Sequence, residues 1–115
     1  MNFPSELDFL EAFGLEPVET DLSIGMCRYI KHSKTSGVEV DISFSVIMKS
    51  FQVSLRLSKQ EIATISSENV SSIKIVNDSQ GEGLQIIFDI RGSISEARAT
   101  LDPEITCRWW TICNN

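Results

Sequence analysis

The chain has 115 residues, 42% of them hydrophobic and 23% charged, and a formal net charge of −6 at pH 7. This length fits one domain that buries about two thirds of its unfolded surface, enough for a core without disulfide or metal staples. The acidic balance disfavours nucleic acid and anionic membranes as partners and favours basic ones.

The first twelve residues of interest, 3–14, read as one short helix. Ser5 is the N-cap, with Asp8 three residues on as a short-armed capping box, and Gly14 is the stop. Phe9, Leu10 and Phe13 are expected to form one apolar stripe that docks on a sheet. Six carboxylates, Glu6, Asp8, Glu11, Glu16, Glu19 and Asp21, precede the first basic residue, Arg28. Helix capping accounts for part of this acidic patch.

Residues 22–32 are a weaker strand candidate, with Gly25 marking a bulge or bend. Residues 33–37 form a turn. The clearest pattern follows. Residues 38–46 place apolar side chains at every even position, and residues 51–57 at every odd one. Period two means a strand with one dry and one wet face, and the change of phase requires a turn at Met48-Lys49-Ser50. Residues 61–66 are a short edge strand, 70–76 a strand, and 77–83 the most loop-like stretch of the chain. Leu84, Ile86, Phe88 and Ile90 alternate again, and Arg91-Gly92 turns the chain. In the next strand Ala97, Ala99 and Leu101 share one face and Glu96, Arg98 and Thr100 the other. After a turn at Asp102-Pro103, residues 105–112 form the last strand, with Trp109 and Trp110 on opposite faces. Alternation alone does not say which indole is exposed. The sum is an α+β fold: one N-terminal helix packed on a mostly antiparallel, curled meander sheet of about seven or eight strands.

No catalytic constellation emerges. His32, the one histidine, sits beside a turn without a metal co-ligand nearby in sequence. Gly81-Glu82-Gly83 lacks the spacing and the following helix of a phosphate loop. Glu39 and Asp41 share one strand face, which reads as a wet face with Arg56 at hand for pairing. Cys27, Cys107 and Cys113 are odd in number and lack CxxC spacing, which argues for reduced thiols and against zinc. No cofactor, metal or enzymatic activity is expected. The N-terminus lacks the features of a signal peptide and no apolar run approaches a membrane span, so the cytoplasm is the expected location. For a partner, the expected contacts are Asp78, Glu82 and Glu96, acids on a loop and on a wet strand face, with Trp110 as an apolar anchor.

The layout 2–10 (Asn2-Phe3-Pro4-Ser5-Glu6-Leu7-Asp8-Phe9-Leu10), then the strands 38–45 and 51–57, then Ile86-Ile87-Phe88-Asp89-Ile90 and Arg108-Trp109-Trp110-Thr111 resembles the small acidic immunity proteins of bacterial polymorphic toxin systems, particularly contact-dependent growth inhibition. The resemblance implies a non-enzymatic protein that binds and neutralises a cognate toxin C-terminal domain, basic and often a nuclease, by blocking its active or substrate-binding surface. From the acidic charge no nucleic-acid or membrane partner is expected, and the free chain is expected to be a monomer or weak dimer. The other reading of the same features is a non-enzymatic interaction or assembly module of a bacterial accessory system.

Overall fold

The computed structural model describes residues 3–112; Met1, Asn2 and residues 113–115, Cys113 among them, lie outside that range. One helix, α1 (Glu6–Phe13), precedes nine strands: β1 (Glu19–Asp21), β2 (Met26–His32), β3 (Val38–Ser45), β4 (Ser50–Leu57), β5 (Gln60–Ser67), β6 (Val70–Asp78), β7 (Gly81–Ile90), β8 (Ser93–Asp102) and β9 (Thr106–Ile112). The helix plus antiparallel meander is as the pattern predicts. The curling is a division into two sheets, β1-β2-β3-β4-β5 and β6-β7-β8-β9. The chain crosses between them at Glu68–Asn69. Asn69 adopts φ 61°, the Val70 N–H donates to the Lys49 carbonyl at 3.0 Å, and the Asp89 N–H donates to the Asn69 carbonyl at 3.0 Å.

The helix starts where the sequence places it. Ser5 Oγ accepts from the Asp8 N–H at 3.1 Å while Asp8 Oδ2 accepts from the Ser5 N–H at 2.8 Å, a complete capping box. The Asp8 carboxyl is held below its usual range by these bonds. Phe9 is fully buried and stacks on Tyr29 with ring centroids 3.9 Å apart; Phe44 follows at 5.8 Å. Phe13 is half-buried behind it. Leu10 does not join the stripe: it is 44% exposed and points outward, because Phe9 and Phe13 at i, i+4 define the docked face. A groove between the helix and β6, lined by Phe3, Asp8, Ala12, Ile73 and Ile75, puts α1 across one open side of the sandwich.

Val40, Ile42 and Phe44 from β3, Phe51 and Val53 from β4, Leu84, Ile86 and Phe88 from β7, and Ala97 and Leu101 from β8 form one core between the sheets. Phe51 meets Phe88 edge-on at 6.4 Å, and Trp109 stacks on Phe88 at 4.5 Å.

The opposite strand faces depart from the expected pattern. They are not uniformly wet: Asp41, Ser45 and Ser54 are buried, as are Arg98 and Thr100 on β8. Ion pairs cover Asp41 and Arg98, loop contacts engage Ser45, and the Ser54 hydroxyl shares a hydrogen bond with the Thr64 hydroxyl at 3.1 Å. The 77–83 stretch is also mostly strand, because β6 runs to Asp78, β7 starts at Gly81, and only Ser79 and Gln80 form the turn. Gly83 is required there, since a Cβ would overlap the Ala99 carbonyl oxygen on β8. The hairpin between these strands is as expected, but polar composition hides how far its two strands run. Polar composition hides β1 as well, whose three exposed residues have no apolar alternation.

Candidate functional site

The four predicted contact residues fall into two pairs on the second sheet: Asp78, Glu96 and Trp110 are on its outer face, whereas Glu82, paired with Asn77, is on the face of Ile75 and Leu84 at the hairpin end. Glu96 and Trp110 are direct cross-strand partners on β8 and β9, with Ile87 of β7 on the other side of Glu96. Trp109 is the core indole and Trp110 the outer one, 37% exposed, with the Arg108 guanidinium 5.5 Å from its ring centroid. Asp78 and Glu82 lie on the β6–β7 hairpin. Glu82 is registered with Asp102, six residues along β8 from Glu96 and hence about 20 Å away at ~3.4 Å per residue.

Asp78 is engaged in the fold. Arg98 Nη1 and Nη2 donate to its two carboxylate oxygens at 2.8 and 3.0 Å, and Nη2 also donates to the Gly81 carbonyl at 3.1 Å. These bonds hold the Asp78 carboxyl at about 2. Arg98 is buried on a face that alternation assigns to solvent, and its Nε has no partner among the described residues. Glu82 Oε1 accepts from Asn77 Nδ2 at 3.4 Å.

The outer face of the first sheet carries a second, larger ionic arrangement. Asp41 is its centre. Arg28 Nε and Nη2 donate to it at 2.9 and 2.7 Å, and Arg56 Nη2 at 3.0 Å. Arg28 Nη1 also reaches Glu19 on β1 at 3.2 Å, and Arg56 Nη1 reaches Glu39 at 3.0 Å. His32 Nε2 stands 3.5 Å from the other Glu39 oxygen. The Arg28 hydrogen bonds, assisted by Arg56, keep the Asp41 carboxyl below the usual carboxylate range against the opposing effect of burial. Glu39 and Asp41 thus neutralise arginines, an arrangement unsuited to proton transfer. The Cys27 and Cys107 thiols are half-buried, and burial pushes both up, which makes them poor nucleophiles.

A third region went unnoticed in the sequence. At the end of the sandwich that holds the β1–β2, β3–β4, β5–β6 and β7–β8 connections, four large apolar side chains meet water: Leu22, Ile47, Met48 and Ile90. The connections are tied together. Val46 N–H donates to the Gly25 carbonyl at 3.1 Å and Ile47 N–H to the Ile24 carbonyl at 3.3 Å. The buried Ser45 hydroxyl donates to the Ile24 carbonyl and accepts from the Met48 N–H. The signal was Ile47-Met48, two apolar residues in a turn where polar ones are usual.

No protein-family profile matches the sequence, and none of the curated proteins searched matches it. Among solved structures, the chain is similar to one in a contact-dependent growth inhibition toxin–immunity protein complex from Klebsiella pneumoniae 342. The two share 30% sequence identity, the match covers 96% of each chain, and the TM-score is 0.88. With that identity across almost the whole length of an acidic, two-sheet β protein, the chain belongs to the immunity proteins of contact-dependent growth inhibition systems.

Proposed function

We propose that this chain neutralises a basic toxin domain, a nuclease, in the cytoplasm by covering its active or substrate-binding surface, without catalysing a reaction itself. The observation that carries this reading is the whole-length likeness to a toxin–immunity complex. The charge supports it: the chain carries −6, and Glu6, Glu11, Glu16 and Glu82 have no arginine or lysine ion pair among the described residues. Such a field steers a basic partner and raises its association rate. In this reading Glu82 and Glu96 attract the toxin, Trp110 offers it an aromatic contact, and Asp78 fixes the hairpin through Arg98. The free protein acts as a monomer or weak dimer.

The test is co-expression with the toxin C-terminal domain encoded immediately upstream, scored by growth and by the integrity of cellular RNA and DNA. The expected result is restored growth with intact nucleic acid. Continued toxicity with the immunity chain folded and abundant would overturn the reading. Rescue from a toxin that leaves nucleic acid intact would overturn the nuclease assignment.

A further inference from the structure

The loop end described above opens into a groove of about 590 Å³ on the first sheet. Its apolar lining is Ile24, Met26, Met48 and Ile90 with the core residues Phe44 and Phe51 at its floor. Ser43, Gln52 and Ser66 line it too, and register places these three side by side across β3, β4 and β5. None of their side chains has a hydrogen-bond partner among the described residues, in contrast to Ser45, which ties two loops together. Glu68 is the one charged lining residue, and its carboxylate is unpaired among the described residues. Lys49 and Arg91 belong to the same loops but do not line the groove.

The exposed apolar groups make this a recognition surface. Leu22 is 90% exposed, Ile47 62% and Met48 59%, on connections already bound to each other through backbone hydrogen bonds. A monomer gains nothing from presenting them together, and exposed clusters of this kind mark protein contacts. The stitched backbone means that little loop ordering remains to oppose binding. A groove with apolar walls, spare hydroxyl and amide groups and one free carboxylate matches a segment that carries an arginine or lysine next to an apolar side chain. A second copy of this chain is a poor occupant, because each copy brings the same net charge of −6 and the same carboxylate.

Taking the immunity reading as given, we infer that the groove between Met48 and Glu68 is the anchoring site for a basic, apolar-tipped segment of the toxin domain. The acids of the second sheet then govern approach, and this end governs residence.

The experiment is surface-based binding kinetics against the immobilised toxin C-terminal domain, using the full chain. Met48→Arg is expected to raise Kd about tenfold or more, mainly through faster dissociation. Glu68→Lys is expected to slow association and flatten its salt dependence. Met48→Leu, which keeps the apolar volume, is expected to stay within about twofold of the unsubstituted chain. Both altered side chains are exposed, so melting temperatures should not move. Unchanged kinetics in Met48→Arg and Glu68→Lys, with the unsubstituted chain binding tightly, would overturn the groove while leaving the immunity function standing. Absence of binding by the unsubstituted chain would overturn both.

Discussion

The middle of the first sheet and its loop end treat their polar and apolar groups in opposite ways. In the middle, Asp41 binds two arginines, and those arginines bind Glu19 and Glu39, so the charges of four strands are matched within the molecule. At the loop end, two residues on from Asp41 along β3 and four from Arg56 along β4, Ser43 and Gln52 have no such partners among the described residues, nor do the side chains of Ser66 on β5 and Glu68 just after it, and Met48 lies in water. A matched network has little left to offer a partner, whereas exposed hydroxyl, amide and carboxylate groups, bound to water in the free chain, can exchange that water for a partner's groups. The difference separates what holds the fold from what faces outward.

The comparison is broken most severely at Asp41. Asp41→Ala leaves Arg28 and Arg56 without their shared acceptor and is expected to cost about 2–3 kcal/mol, a charged hydrogen-bond loss moderated by partial solvent access to both arginines. Urea unfolding measures it, and toxin binding by the folded fraction should be unaffected. Gly25→Ala acts at the boundary between the regions. Gly25 sits at φ +59°, and a Cβ there would come within 3.3 Å of the Val46 Cβ, so a loss of about 1 kcal/mol is expected. Because this glycine's carbonyl holds the β3–β4 loop, toxin dissociation should quicken as well.

Acid titration sharpens the contrast further. Asp41 and Asp78 both have carboxyls depressed in the folded state, by Arg28 and Arg98 respectively. Their contribution to stability is complete above the unfolded value of about 3.9 and is lost as pH falls through the folded value, which for Asp78 is about 2. The urea midpoint should therefore fall with pH below about 4. The fall should be shallower in Asp41→Asn and unaltered in Met48→Arg. The smallest effect is expected from Glu82→Lys, which should slow toxin association by a few-fold at low salt without changing the melting temperature. Asp78→Lys is not its equivalent, because it sets a second cation against the buried Arg98 and should lower the melting temperature.

Period-two alternation made most of the fold legible. The residues of β3, β4 and β7 that alternate most strictly are those in the core, and Ser5, Asp8 and Gly14 bound the helix as written. What alternation cannot report is pairing between side chains on the outer face. Arg98 and Thr100 read as wet because they alternate with alanines, yet Asp78, twenty residues earlier, folds back to cover Arg98. The candidate site suffered from the same limit. Acidic residues are visible one by one in a sequence, but whether each is already neutralised depends on register, and register is what separates Asp78 from Glu82. The apolar loop end was hidden for a different reason: Leu22 from the β1–β2 connection, Ile47 and Met48 from the β3–β4 connection and Ile90 from the end of β7 form a surface only once the strands are aligned.

The strand order of both sheets follows chain order. Every β pairing is therefore a hairpin, closed by connections that run from two residues, Ser58–Lys59, to five, residues 33–37. Loop-closure entropy is small for each, so strand pairing can begin anywhere along the chain and spread to the next neighbour. The long-range step is the docking of one finished meander on the other, where Phe51 meets Phe88 and the helix seals the side at Tyr29. Pairing within each sheet is therefore local in the chain, and the docking of the two meanders is what completes the core and brings Ile90 of the second sheet beside the connections of the first at the loop end.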